Sequence, residues 1–309
     1  SSAPASSPAI RSVLASRFHA VPSLTTSLIA GGDRGRRLRQ EGITVNGTTT
    51  HLPIIDPETS QGSETAPVDL IVVALKHHHS PEAIPGLDPW VGPNTIFISV
   101  MNGLDSERFI GEHYGMEKVL YCISVGIDAL RQDGRVTYTT VGTIQFGEAT
   151  NDPAQLSSRV QRVQDVLAAA AIPCEIPPDM LRVLWWKFMV NVGVNQASAM
   201  MRAPYRAFQR MPDARAVMFG LMREVLALAA AEDIHLDEDD LPAWDKFLQT
   251  LSPDGKTSML QDIEAGRKTE VEIFAGKAVA LGDKHGIPTP MNATALHVIR
   301  VLQTLETQG

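Results

Sequence analysis

The densest chemistry in the chain sits on an apolar run, Leu184-Trp-Trp-Lys187-Phe-Met-Val-Asn191-Val-Gly-Val-Asn195. On an α-helix, residues four apart stand nearly one above another, so Lys187, Asn191 and Asn195 share a face. One ammonium and two amides in a line, on a helix with almost no other charge, are buried polar groups that need partners. Two readings are open. The three satisfy one another or nearby loop carbonyls, or they face a ligand. In the second case the ammonium stabilises developing negative charge and donates a proton, while the amides hold a small polar molecule. A second segment is Thr257-Ser258-Met-Leu-Gln261-Asp262-Ile-Glu264-Ala-Gly266-Arg-Lys-Thr269-Glu270-Val-Glu272. Thr257 or Ser258 serves as a helix N-cap, with Gln261 at the capping-box spacing from Ser258. The pattern predicts one helix over Ser258–His285, with Asp262 and Glu270 along it and Glu264 and Glu272 on its solvated face. By itself this segment is a well-capped amphipathic helix.

Other reactive residue types read as bland. His77-His78-His79 resembles a metal tract, but adjacent residues do not share a helix face; the run opens a helix beside Lys76. Cys122 and Cys174 are the two cysteines. They lie far apart in apolar settings, which is neither a disulfide framework nor a metal spacing, and they read as buried free thiols.

The elements that must position these residues fall into two textures. Thr26–Ala30 reads as a strand, Arg36–Glu41 as a short helix ending at Gly42, and Ile43–Val45 with Thr50–Ile54 as strands flanking an Asn46-Gly47 hairpin turn. Asp69–Leu75 and Thr95–Val100 are continuous β-branched runs, as strands covered on both faces should be. Val119–Val125, Val136–Tyr138 and Gly142–Gly147 suggest an antiparallel extension. Strands alternating with helices imply an α/β doubly wound sheet, a Rossmann-type domain over residues 1–176. Beyond Pro177-Pro178 the periodicity is helical, over Met180–Met201, Pro212–Asp233, Leu241–Thr250, Ser258–His285 and Pro290–Thr307. Residues 177–309 are thus expected to be an all-helical domain, and a cleft between two domains is a common small-molecule site.

Composition narrows the partners. The 309 residues carry a formal charge of −8, which argues against a nucleic-acid partner, because phosphate-backbone binding needs a basic face. Leu70–Leu75 and Val225–Ala231 are the longest apolar runs, well short of the roughly 18 residues that a spanning helix needs, so no membrane partner is expected. The first 32 residues contain eight serines, Arg11 and Arg17 but no acid. Such a start fits an organelle transit peptide; a cytoplasmic enzyme is the other expectation.

Taken together, the two chemical segments resemble the C-terminal domain of ketopantoate reductases (2-dehydropantoate 2-reductases). That family carries a lysine with asparagines four and eight residues later, then a Ser-Met-x-Gln-Asp run and a Thr-Glu pair. Here these are Lys187, Asn191, Asn195, Ser258, Gln261, Asp262, Thr269 and Glu270. The likeness runs back through Val72-Val-Ala-Leu-Lys76, Met101-Asn102-Gly103-Leu104 and Gly142-Thr-Ile-Gln-Phe-Gly147-Glu148, covering about residues 12–309.

The resemblance implies a Rossmann-type domain followed by a helical domain like that of 6-phosphogluconate dehydrogenase. It implies reduction of a small 2-keto acid by NADPH, 2-dehydropantoate to pantoate by family default, as in pantothenate biosynthesis, and a possible homodimer. Lys187 is then the general acid, its pKa lowered by burial. Asn191, Asn195, Ser258 and Asn102 bind substrate, Glu270 assists Lys187 or holds substrate, and Lys76, Asn102, Glu270 and Arg34 flank NADP. Lys76 and Asn102 follow parallel strands at their carboxyl ends, where such sheets bind ligands.

One family feature is absent. A dinucleotide site begins with a strand and Gly-x-Gly-x-x-Gly, whose glycines allow close backbone approach to the pyrophosphate. If Ser12 opens the first crossover helix, the three glycine positions fall on Ser6, Pro8 and Arg11, after the unstrandlike segment 1–5; the proline would remove a donor amide and the arginine would obstruct close approach to the pyrophosphate. The usual arginine after the second strand is replaced by Gly31 or Gly32, with Arg34, Arg36 and Arg37 just beyond. Ala203-Pro-Tyr205 stands where some members carry an asparagine after the proline. A catalytically silent homologue that binds a metabolite or partner, and a reductase of another keto or imino acid, are the alternatives.

Overall fold

The computed structural model describes residues 7–60, 66–127 and 129–308. They form two compact units, one of residues 7–101 and Asp105–Met180, the other of residues 181–308 together with Asn102–Leu104.

The first unit opens with helix α1 (Ser7–His19), strand β1 (Leu28–Ile29), helix α2 (Gly32–Glu41) and strands β2 (Ile43–Val45), β3 (Thr48–Thr50) and β4 (Ile54–Ile55). It continues through β5 (Leu70–Val73), α3 (Ser80–Ala83), β6 (Ile96–Ser99), α4 (Ser106–Tyr114), β7 (Val119–Val125), β8 (Leu130–Gln132), β9 (Arg135–Thr137), β10 (Thr143–Gly147), α5 (Ser158–Ala169) and β11 (Cys174–Glu175). The β-branched runs become the centre of a five-stranded sheet of order β11-β10-β7-β6-β5. Here β5, β6 and β7 are parallel and β10 returns antiparallel to β7. All four residues of β6 are buried, as expected for a strand covered on both faces. A separate pair, β1 with β4, is parallel, and a four-stranded sheet runs β3-β2-β9-β8. Helix α1 buries Ala9, Ile10, Val13, Leu14 and Phe18 in a core shared with Ile43, Val45, Ile98 and Phe146. This is a Rossmann-like α/β unit.

Three expectations change. The helix expected from Ser12 already covers Ser7–His19, so Pro8 and Arg11 lie inside a helix. Ser6 and segment 1–5 lie outside the described residues. The strand expected over Thr50–Ile54 is two pieces, since the tight Asn46-Gly47 turn returns the chain at once into β3, leaving β4 to pair with β1. Cys122 is buried, but Cys174, on the sheet's edge strand, is only half-buried.

The second unit is helical. It contains α6 (Met180–Val190, shared at its first residue with the other unit), a π-helical segment (Asn191–Asn195), α7 (Gln196–Met201), α8 (Tyr205–Arg210), α9 (Pro212–Ala231) and α10 (Asp240–Leu248). These are followed by α11 (Ser258–Glu264), a 3₁₀ turn (Val271–Ile273), α12 (Ala275–His285) and α13 (Pro290–Gln308). Its core gathers Phe188, Met189, Val192, Phe208, Met218, Leu221, Met222, Phe274 and Ile299. The single helix expected over Ser258–His285 is broken. Gly266 takes φ +60°, and the Gly266 and Arg267 amides turn back to the Ile263 and Asp262 carbonyls, closing α11. No helix among the described residues is long and apolar enough to cross a membrane.

Candidate active site

The helix bearing Lys187 changes pitch where the chemistry begins. Residues Asn191–Asn195 form a π-helical turn between α6 and α7, a wide turn with i→i+5 hydrogen bonds that is often found at functional sites. Gly193 lets α9 come close: a Cβ there would lie 2.4 Å from Met222 Cε and 3.1 Å from the Met218 carbonyl oxygen. The widened turn leaves carbonyls to satisfy, and Gln196 serves one of them. Its Nε2 donates to the Val192 carbonyl at 2.8 Å and to Asn292 Oδ1 at 3.1 Å. Asn292 Nδ2 in turn donates to Glu224 Oε2 at 2.7 Å, and that carboxylate accepts the Met291 and Asn292 amides at the start of α13. Gln196 was missed by the sequence reading. Its signal was weak, one amide in an apolar run, with its partner Asn292 far along the chain.

On the other side of the turn, Asn191 and Asn195 are buried at 7% and 2% exposure. Asn195 Nδ2 donates to Asn191 Oδ1 at 3.3 Å, so the two amides satisfy one another in part. The pairing is incomplete, because Asn195 Oδ1 has no hydrogen-bond partner among the described residues. An unmade hydrogen bond at a buried acceptor costs about 1–3 kcal/mol. A hydroxyl or ammonium on a bound molecule would recover it. Lys187 lies one turn before Asn191, half-buried, on the α-helical part of the rod.

Helix α11 packs against the π segment and α7. Thr257, not Ser258, is its N-cap: Thr257 Oγ1 accepts from the Leu260 amide at 3.2 Å. Ser258 is thereby released from capping, and its hydroxyl has no partner among the described residues. With Thr257 as N-cap, the third helical position is Leu260, which has no side-chain acceptor, so no capping box forms; Gln261 Nε2 donates instead to the Lys256 carbonyl. Glu264 is exposed and pairs with Lys256, and exposed Glu272 pairs with Arg300, as solvated-face residues.

Thr269 and Glu270 stand in the irregular stretch between α11 and the 3₁₀ turn rather than on a long helix. Buried Thr269 ties this stretch to α13, its amide and hydroxyl both donating to Gln303 Oε1, at 2.6 and 2.9 Å. With the backbone fixed there, Glu270 accepts a hydrogen bond from Asn102 Nδ2 at 2.9 Å on Oε2. The helical unit thus holds Lys187, Asn191, Asn195, Ser258, Glu270 and Asn102. Lys76 and Arg34 belong to the α/β unit. Half-buried Lys76 follows β5 at its carboxyl end, and exposed Arg34 lies in the first turn of α2. His77–His79 form a 3₁₀ turn leading into α3, and no metal-holding cluster occurs among the described residues.

A Rossmann-like α/β unit joined to an all-helical unit that carries a lysine and paired asparagines is the layout of a two-domain dehydrogenase. The family described as ketopantoate reductase PanE/ApbA matches residues 9–151, and its C-terminal counterpart matches residues 179–303. The chain belongs to the ketopantoate reductase family, and with it to the oxidoreductases. It is 25% identical to the 2-dehydropantoate 2-reductase of Halobacterium salinarum over 298 residues, covering 91% of this chain and 95% of the relative. It is 27% identical to that of Pyrococcus abyssi, covering 77% of each. Among solved structures, D-mandelate dehydrogenase with NADH and anilino(oxo)acetate aligns with a TM-score of 0.83 at 19% identity, over 96% of this chain and 95% of that one. The dimeric ketopantoate reductase of Staphylococcus aureus aligns at 0.78 and 21%, over 96% of each chain. At these identities the two structures establish the fold.

Proposed function

We propose that the chain reduces a small branched 2-keto acid with NADPH, with 2-dehydropantoate as substrate and pantoate as product. The observation that carries this is the incompletely satisfied polar face of the Lys187 rod. An unpartnered Asn195 side-chain oxygen beside Asn191, which itself lies one turn from the Lys187 ammonium, is suited to a small molecule with a hydroxyl and a reducible carbonyl. When bound, the nicotinamide cofactor supplies the hydride that reduces the carbonyl carbon. Lys187 donates the proton to the carbonyl oxygen as negative charge develops there. Asn191 and Asn195 orient the substrate's hydroxyl, and Ser258 donates to its carboxylate. Asn102 and Glu270 position one another beside the reacting groups. Lys76, Arg34, Asn102 and Glu270 would hold the cofactor. Arg34 suits a phosphate, since it is a guanidinium with no carboxylate partner among the described residues. A homodimer, which the description of the S. aureus relative states for that protein, is part of the same proposal.

A second reading has its own support: a related reductase of another 2-keto acid. The likeness to D-mandelate dehydrogenase with NADH, at a TM-score of 0.83, and the aromatic Tyr205 where some family members carry an asparagine, both favour it.

The test is titration of the chain with NADPH and NADH, followed by fluorescence, with ketopantoate and phenylglyoxylate then added separately. Saturable NADPH binding, ketopantoate-dependent oxidation and its loss in Lys187→Ala are expected. A preference for phenylglyoxylate selects the second reading. Failure to bind either cofactor sinks both.

A further inference from the structure

Two side-chain clasps run in parallel across the π turn. Asn195 Nδ2 donates back to Asn191 Oδ1 at 3.3 Å, and one residue further on Gln196 Nε2 donates back to the Val192 carbonyl at 2.8 Å. In an α-helix that carbonyl would accept the backbone amide of Gln196. Here the amide donates to the Gly193 carbonyl, and the side chain of the same residue serves Val192 in its place. The second clasp therefore sets how far apart residues 192 and 196 stand, and with them their neighbours Asn191 and Asn195. It stays closed when a ligand engages the two asparagine amides and opens the first.

The second clasp is held from behind. Gln196 and Asn292 are both fully buried. Gln196 Nε2 also donates to Asn292 Oδ1 at 3.1 Å, and Asn292 Nδ2 donates to Glu224 Oε2, on α9, at 2.7 Å. A carboxylate only accepts, so Glu224 turns the Asn292 amide nitrogen towards itself and the Asn292 side-chain oxygen towards Gln196. That oxygen in turn requires the side-chain nitrogen of Gln196, which faces two acceptors and leaves Gln196 Oε1 with no hydrogen-bond partner among the described residues. An unpartnered buried acceptor costs stability, and apolar side chains at 196 and 292 together would remove that cost. Stability alone does not account for the arrangement; a donor fixed at Val192 does.

We propose that Gln196 is a positioning residue for the keto acid, oriented through Asn292 by Glu224, and that it fixes the spacing at which Asn191 and Asn195 meet the substrate. The proposal rests on the reading above that these two asparagines bind it. Gln196 and Asn292 have no exposed surface with which to touch a ligand, so they act only through the backbone of the turn. Breaking the chain of bonds changes how the substrate is held and leaves the proton and hydride steps to Lys187 and the cofactor. The expected signature is a change in KM with little change in kcat.

Steady-state kinetics with NADPH and either ketopantoate or phenylglyoxylate tests this, on the full chain and on Gln196→Met, Glu224→Ala and the double variant. Gln196→Met fills the same core space without donors. Glu224→Ala alters a half-buried position outside the core, so the test survives if the core variant fails to fold. KM is expected to rise roughly fivefold or more in Gln196→Met and roughly threefold or more in Glu224→Ala, with kcat within about twofold. The double variant is expected to match Gln196→Met, because the two residues act along one chain of bonds. KM within about twofold of the unsubstituted chain in every folded variant overturns the proposal, even where the melting point falls. A double variant whose KM rise is the product of the single ones overturns it too. Side-chain amide resonances of Asn191 and Asn195, from the full chain carrying isotope-labelled asparagine, separate the proposal from the functional reading. If the unsubstituted chain turns over neither keto acid, that reading falls. Resonances that shift in Gln196→Met then still uphold the positioning of the pair, and unshifted ones overturn it as well.

Discussion

Asn102 and Glu270 lie 168 positions apart in the chain, yet the amide of one donates to the carboxylate of the other at 2.9 Å. The bond joins the turn after β6 to the irregular stretch that Thr269 fastens to α13. If the pair lines the reaction site, losing the amide costs more in rate than in stability. Asn102→Ala is expected to lower kcat/KM roughly tenfold to a hundredfold, the equivalent of one hydrogen bond to a charged group. Steady-state kinetics beside a melting curve checks it. A lower melting point with unchanged kinetics would reduce the bond to a structural tie.

Gly193 makes a sharper claim about packing. A methyl at this position would meet Met222 Cε at 2.4 Å and Cγ at 2.5 Å, with the Met218 carbonyl oxygen behind at 3.1 Å. Cores filled to crystal density respond to such crowding by shifting backbone. Gly193→Ala should therefore cost about 1–3 kcal/mol in denaturant unfolding. Activity should fall as well, because the same shift moves Asn191 and Asn195.

Thr257 and Ser258 are neighbours with different duties. Thr257→Ala removes the N-cap of α11 and should destabilise the chain by about 1 kcal/mol. Ser258→Ala removes a hydroxyl that the fold does not use, so stability should change little while KM for the keto acid rises. Equal stability losses in the two variants would contradict this division.

Glu148 provides a test in pH. Burial alone would raise its carboxyl, but hydrogen bonds from Arg159 and Ser157 prevail and hold it below the usual carboxylate range. Its folded value lies below its unfolded one, so its stabilisation is complete above the unfolded value and is lost as pH falls through the folded one. Glu148→Gln should cost roughly 1–2 kcal/mol at neutral pH. The difference from the unsubstituted chain should shrink below about pH 4. A difference independent of pH would mean that the charge contributes nothing.

The central strands were legible because β5, β6 and β7 are written in β-branched residues, and the Lys187 face was legible because spacing by four survives the change of pitch. The π turn itself left no trace, since Asn-Val-Gly-Val-Asn reads as an ordinary helix until α9 is seen pressing on Gly193. The break after α11 was hidden by Gly266, a residue that helices tolerate in their interior as well as at their ends. Arg11 was read through an expected glycine motif and so counted as an obstacle. Its bond to Ala74 joins residues 63 apart, and no local pattern signals it.

The π turn also sets a phase. Seen from outside, α6 and α7 form one rod, but the wide turn between them works like an offset between two gears on a common shaft. Each residue of an α-helix advances the rod by about 100°. Rewinding all five residues 191–195 as uninterrupted α-helix, with none removed, would add one residue's worth of rotation and turn all of α7 by about that angle. Gln196 would swing away from Asn292, and the brace to α13 would be lost even though every side chain at the site was still present. The pitch of this turn is therefore as much a determinant of the site as the identity of its residues.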